Sequence, residues 1–96
     1  MEKKVVDIFD EKYGRDFHKR TEKLREECKK LVEAIDNLSI SPIPRYGEIH
    51  RLIDEMADVS VLIVHVASIL NKNVVDLLEM AIDKVLKRVD NPDYNR

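Results

Sequence analysis

The sequence predicts an all-α fold, a four-helix antiparallel bundle whose protomer is completed by oligomerisation, and three observations carry that expectation. Only two glycines and three prolines occur among 96 residues, which favours long helices over a many-turned β architecture. Apolar residues recur at alternating steps of three and four through three long segments, the signature of a helix with a heptad seam. One of those segments then turns apolar around most of its circumference and demands neighbours on several sides. A chain of this length is expected to form a single domain, residues 1–96. It buries only a modest share of its own surface, so partner subunits are a natural cover.

The first helix is expected from about Lys3 to Tyr13, with Val5, Phe9 and Tyr13 at helical spacing and Gly14 as its stop. The second runs from about Asp16 to Leu38. Its seam is Phe17, Leu24, Cys28, Leu31, Ile35 and Leu38, with Thr21 at the one weak place. Two prolines in Ser39-Ile40-Ser41-Pro42-Ile43-Pro44 disfavour helix in the residues before them, so this stretch is the main loop. The third helix starts near Tyr46–Glu48 and continues to about Leu70, with a seam of Ile49, Leu52, Met56, Val59, Ile63, Val66 and Leu70. Beyond Asp58, the additional apolar residues Val61, Leu62, Val64 and Ile69 widen that seam. The fourth follows Asn73, which pairs with Asp76 as a capping box. It carries Val75, Leu78, Ile82, Val85 and Val89 and ends before Pro92.

Seventeen basic side chains against nineteen acidic ones give a formal charge of −2, which makes no global electrostatic case for nucleic acid. The lone Cys28 cannot form an internal disulfide, and nothing resembles a secretory signal. The most apolar stretch, Val59 to Leu70, is about twelve residues long, whereas a bilayer span needs about twenty. The expected setting is the cytoplasm, without a membrane partner.

On the helical wheel Glu55 takes a g position and Asp58 the adjacent c position of helix three, about one turn apart at the border of the seam. Glu27 and Lys30 hold the same g and c positions in helix two. If the two helices form a hairpin, these four side chains converge on one edge. Carboxylates gathered in a partly buried place repel one another, and a divalent cation relieves that repulsion. Magnesium prefers oxygen ligands and retains waters that a phosphate can replace. The competing reading is a solvated helix face, the ordinary fate of Glu and Asp at this spacing. On helix four Lys84 and Arg88 sit four residues apart, placed either to hold phosphates or simply to favour the helix dipole.

The run Leu24-Arg25-Glu26-Glu27-Cys28-Lys29-Lys30-Leu31-Val32-Glu33-Ala34-Ile35 resembles the first metal-binding segment of the MazG-like nucleotide pyrophosphohydrolases. Asp54-Glu55-Met56-Ala57-Asp58-Val59-Ser60-Val61-Leu62 resembles their second. Asp83-Lys84 followed by Arg88 is similar to the basic signature of the family's later helix, and the whole resemblance spans residues 17–92 in order. It implies an all-α homodimer or homotetramer that hydrolyses nucleoside triphosphates to monophosphate and pyrophosphate with magnesium, or manganese in its place. House-cleaning of non-standard nucleotides is the role it suggests. By resemblance Glu27, Glu55 and Asp58 are the catalytic, metal-holding carboxylates, and Lys84 and Arg88 lie near the substrate's phosphates.

One position departs from the family pattern. Glu-x-x-Glu is expected in helix two, and this chain reads Glu27-x-x-Lys30. A protonated lysine cannot ligate magnesium, and Glu26 and Glu33 lie at f positions, away from the seam. Two consequences stand side by side. Lys30 contacts phosphate directly beside a reduced metal site, or it neutralises Glu27 in an ion pair and leaves a degenerate oligomeric binding protein of the same fold. Phosphoribosyl-ATP pyrophosphohydrolase, which shares the fold and much of the acidic pattern, is a third reading. His65 lies at c, two turns beyond Asp58, where a buried, hydrogen-bonded histidine is favoured over a catalytic base. His18 and His50 have no partner at ligand spacing, and Cys28 reads as a small core hydrophobe. In the tail Asn91–Arg96, expected to fray, Tyr94 is a candidate to stack on a base.

Overall fold

The computed structural model describes residues 1–39 and 42–90, with no side chain described beyond Arg88. It is all-helical: α1 spans Glu2–Tyr13, α2 Phe17–Asp36, α3 Tyr46–Ile69 and α4 Val74–Asp90, with no strand among the described residues. Ile40 and Ser41 of the expected loop, the Val89 side chain, and the tail with Tyr94 lie outside the described residues.

Each boundary has a local cause. Gly14 closes α1 with φ 75°, a left-handed conformation that a Cβ would strain, and its N–H reaches the Asp10 carbonyl at 2.9 Å. Asp16 caps α2 by accepting the Lys19 N–H at 3.0 Å. At the start of α3 one carboxylate oxygen of Glu48 accepts the backbone N–H of both Arg45 and Ser39, at 2.9 and 3.1 Å, and so fastens the loop to the helix. The expected capping box at α4 is present in both directions. The Asp76 N–H donates to Asn73 and the Asn73 N–H to Asp76, each at 2.9 Å.

α2 and α3 form the principal hairpin and α1 packs across α3. The Arg51–Glu33 pair, 3.7 Å apart, joins the end of α2 to the beginning of α3 and marks them as antiparallel. A buried polar anchor holds α1. His65, with no exposed surface, contacts Asp10 at 2.8 Å from its Nε2. Arg15 donates to the same carboxylate and to the Ser68 carbonyl, at 2.8 and 3.0 Å. The Phe9 ring meets the His65 ring edge-on at 5.6 Å. His65 is therefore a hydrogen-bonded core residue, in keeping with its position on the wheel.

The face that the single chain buries is rotated away from the expected seam. Buried residues are Arg20, Glu27 and Ala34 on α2, and Val59, Leu62, His65, Val66 and Ala67 on α3. All but Ala67 lie on the d–g–c side of the wheel, where α1 brings Phe9 and Tyr13. The a-side residues Ile35, Ile49, Met56, Ile63 and Leu70 remain exposed, and Cys28 is half-buried rather than core. α4 stands off the other helices, turning by 99° from the end of α3. Val75, Leu78, Ile82 and Val85 of its seam are each more than half exposed. The radius of gyration, 16.4 Å, exceeds the roughly 12–13 Å of a compact chain of this length. Among the described residues no single helix is long and apolar enough to cross a membrane.

Candidate metal centre

The rotated face brings Glu27, Glu55 and Asp58 together. One carboxylate oxygen from each lies within 4.8 Å of the others. Glu27 comes from the middle of α2, while Glu55 and Asp58 are one turn apart on α3. The antiparallel crossing makes g and c of one helix meet g and c of the other. Glu27 is not at a polar border but inside, 6% exposed. Glu55 is half-buried, and Asp58 sits at the exposed rim.

Two lysines serve Glu27. Lys23 and Lys30 each place Nζ 3.3 Å from the same oxygen, Oε1. Burial pushes the Glu27 carboxyl up, but the hydrogen bonds and charges of the two ammoniums outweigh it and hold the group below the usual glutamate range. Lys23 is pushed up in turn by its bond to Glu27. The second oxygen, Glu27 Oε2, is buried without a hydrogen-bond partner, and so is Glu55 Oε2. A buried carboxylate oxygen with no donor is costly, and two of them in one cluster ask for a cation.

The donor set fits a hard divalent ion. All three groups are oxygen ligands, as magnesium and manganese take. Oxygens about 2.1 Å from one magnesium lie at most about 4.2 Å apart, so a triad within 4.8 Å needs only slight closing. Lys30 offers no ligand and pairs with Glu27 instead.

A cleft of about 200 Å³ adjoins the triad, lined by Phe9, Tyr13, Arg20, Lys23, Glu27, Asp58, Val61 and Leu62. Arg20 and Lys23 escaped the sequence reading. They were legible, since they occupy g and c one heptad before Glu27 and Lys30, on the stripe that already carried the carboxylates. Lys84 and Arg88 belong to α4, which stands off α2 and α3, and neither lines this cleft. His18 and His50 are exposed and outside the triad. No family model, curated protein or solved structure matches the chain.

Proposed function

We propose that this chain is a divalent-metal-dependent nucleotide pyrophosphohydrolase, as its resemblance to the MazG-like enzymes implies. One observation carries the reading: Glu27 and Glu55 each keep a buried, unpartnered carboxylate oxygen in the cluster they form with Asp58. A magnesium or manganese ion held there would supply a Lewis acid to activate water and offset charge on the phosphates. Water attacks the α phosphorus, the α–β anhydride bond breaks, pyrophosphate leaves, and a proton passes to solvent. Glu27, Glu55 and Asp58 would hold the ion, and Phe9, Tyr13, Val61 and Leu62 form the apolar part of the adjoining cleft. Lys30 is within reach of phosphate at the rim, half-exposed beside Glu27.

The catalytic unit in this proposal is a homodimer or homotetramer. Its support is the exposed a-side of α2 and α3 together with the uncovered seam of α4, more apolar surface than a small monomer ordinarily leaves to water. Within such an assembly Lys84 and Arg88 serve the phosphates of a neighbouring cleft. Sedimentation equilibrium is expected to give twice or four times the 11.2 kDa chain mass. Leu78→Glu on α4 should shift the protein to monomer. A wild-type monomer at micromolar concentration would overturn the assembly.

A second reading, a degenerate binding protein of the same fold, is favoured by the Lys30–Glu27 ion pair, which sets a cation where the family has a ligand. One experiment separates the two. Pyrophosphate release from a panel of nucleoside triphosphates and phosphoribosyl-ATP is measured with magnesium, with manganese and with EDTA. Metal-dependent release is expected, abolished by EDTA. Activity confined to phosphoribosyl-ATP would assign the third class. No release by the wild type but release by Lys30→Glu would identify the degenerate site. No release by either, with no metal-induced thermal shift, would sink the enzymatic reading.

A further inference from the structure

The cleft beside the triad contains a cation with no counter-ion. Arg20 is 6% exposed, its guanidinium carbon stands 4.5 Å from the centre of the Tyr13 ring, and its Nε has no hydrogen-bond partner. None of the ion pairs among the described residues involves it. Burying a guanidinium costs heavily unless something pairs with it, and a ring face answers only part of that cost. The ring offers no hydrogen-bond acceptor to the Nε–H, and a guanidinium's N–H edge is the part that forks onto phosphate oxygens. One turn along the same helix, Lys23 lines the same cleft.

We infer that Arg20 and Lys23 form an anion subsite for a phosphate group of a polyphosphate ligand, next to the carboxylate triad and built by α2 itself rather than by Lys84 and Arg88. The choice of polyphosphate rests on the metal-dependent reading above; the presence of an anion subsite does not. Charge supports the pairing of the two sites. Arg20, Lys23 and Lys30 balance Glu27, Glu55 and Asp58, so the cleft is formally neutral until a divalent cation enters. Lys23 is tied to Glu27 and, at 3.6 Å, to Glu26. A metal ion on the open Glu27 Oε2 would draw on the charge that holds Lys23 at Oε1, and Lys23 would be released toward the anion. By linkage each ligand then strengthens the other.

The test uses the full chain and inorganic tripolyphosphate, followed by the Arg Nε–H resonances in ¹⁵N NMR, in EDTA and in saturating magnesium. The Arg20 resonance is expected to shift on titration, with binding at least tenfold tighter in magnesium. Arg20→Gln should weaken tripolyphosphate binding at least tenfold while leaving manganese affinity, read by electron paramagnetic resonance, within twofold. Lys23→Gln should weaken tripolyphosphate binding at least tenfold and, by freeing Glu27 of an ammonium, strengthen manganese binding. The wild-type titration decides the matter should Arg20→Gln not fold. Tripolyphosphate binding that leaves the Arg20 resonance unmoved, or none at all, would overturn the subsite. Binding at Arg20 in EDTA without any manganese binding would uphold the subsite and remove the metal-dependent reading.

Discussion

Replacing Glu55 by glutamine is expected to lower manganese affinity at least 100-fold and, in EDTA, to raise the stability of the protein. Both effects follow from one geometry. Three carboxylates gather within 4.8 Å, and two ammoniums at Glu27 leave the cluster with one negative charge in excess. Glu55 carries the least compensated part of it, a buried oxygen with no donor. An amide in its place keeps the shape, removes the repulsion and stabilises the metal-free fold by about 1 kcal/mol. For a domain of this size that is a rise of roughly 4–8 °C in Tm. The same change deletes a ligand. Calorimetric unfolding with EDTA and with manganese reads both quantities, and a Glu55→Gln protein less stable in EDTA than wild type would contradict the account.

The largest loss of stability is expected from His65→Ala. His65 is fully buried, bonds Asp10 and packs against Phe9, so it joins α1 to α3. Truncation leaves a cavity and removes the link, at a cost of roughly 2–4 kcal/mol, or a fall of at least about 10 °C in Tm. The link also makes stability depend on acid. Burial pushes the Asp10 carboxyl up, but the bonds from His65 and Arg15 prevail and hold it below its ordinary value of 3.8. A carboxyl depressed by folding contributes stability above its unfolded pKa and loses it as pH falls through the folded value. Urea unfolding of the wild type should therefore weaken from about pH 5 downward. Asp10→Asn should flatten that limb; an unchanged slope would remove Asp10 as its source.

The helices and their caps were legible in the sequence because their causes are local. Gly14, Asp16 and the Asn73–Asp76 box each act within a few residues of the end they define. The convergence of Glu27 with Glu55 and Asp58 was legible too, because matching heptad positions meet when two helices form a hairpin. Which side of that hairpin the chain buries was not. The a/d seam is the most apolar line in the sequence, yet Met56 and Ile63 on it are exposed. The cover comes from α1, and α1 is fixed by Asp10 and Arg15 reaching His65 and Ser68, more than fifty positions away. No short-range pattern encodes a pairing at that separation. Arg20 sits on the legible g–c stripe, but its burial depends on the Tyr13 ring lying against it, which no short-range pattern gives.

The two lysines that share Glu27 Oε1 set a threshold for metal uptake at the open Oε2 beside it. An incoming cation meets a carboxylate whose charge two ammoniums already offset, so its gain is a difference between attraction and repulsion. A monovalent ion offers no more charge than either lysine and is rejected without any steric filter. A divalent ion wins by charge density, and only by the margin that the ammoniums leave. Selectivity among ions is thus written into side chains that never touch the metal, and Lys23→Met should loosen it by admitting sodium or potassium where wild type refuses them.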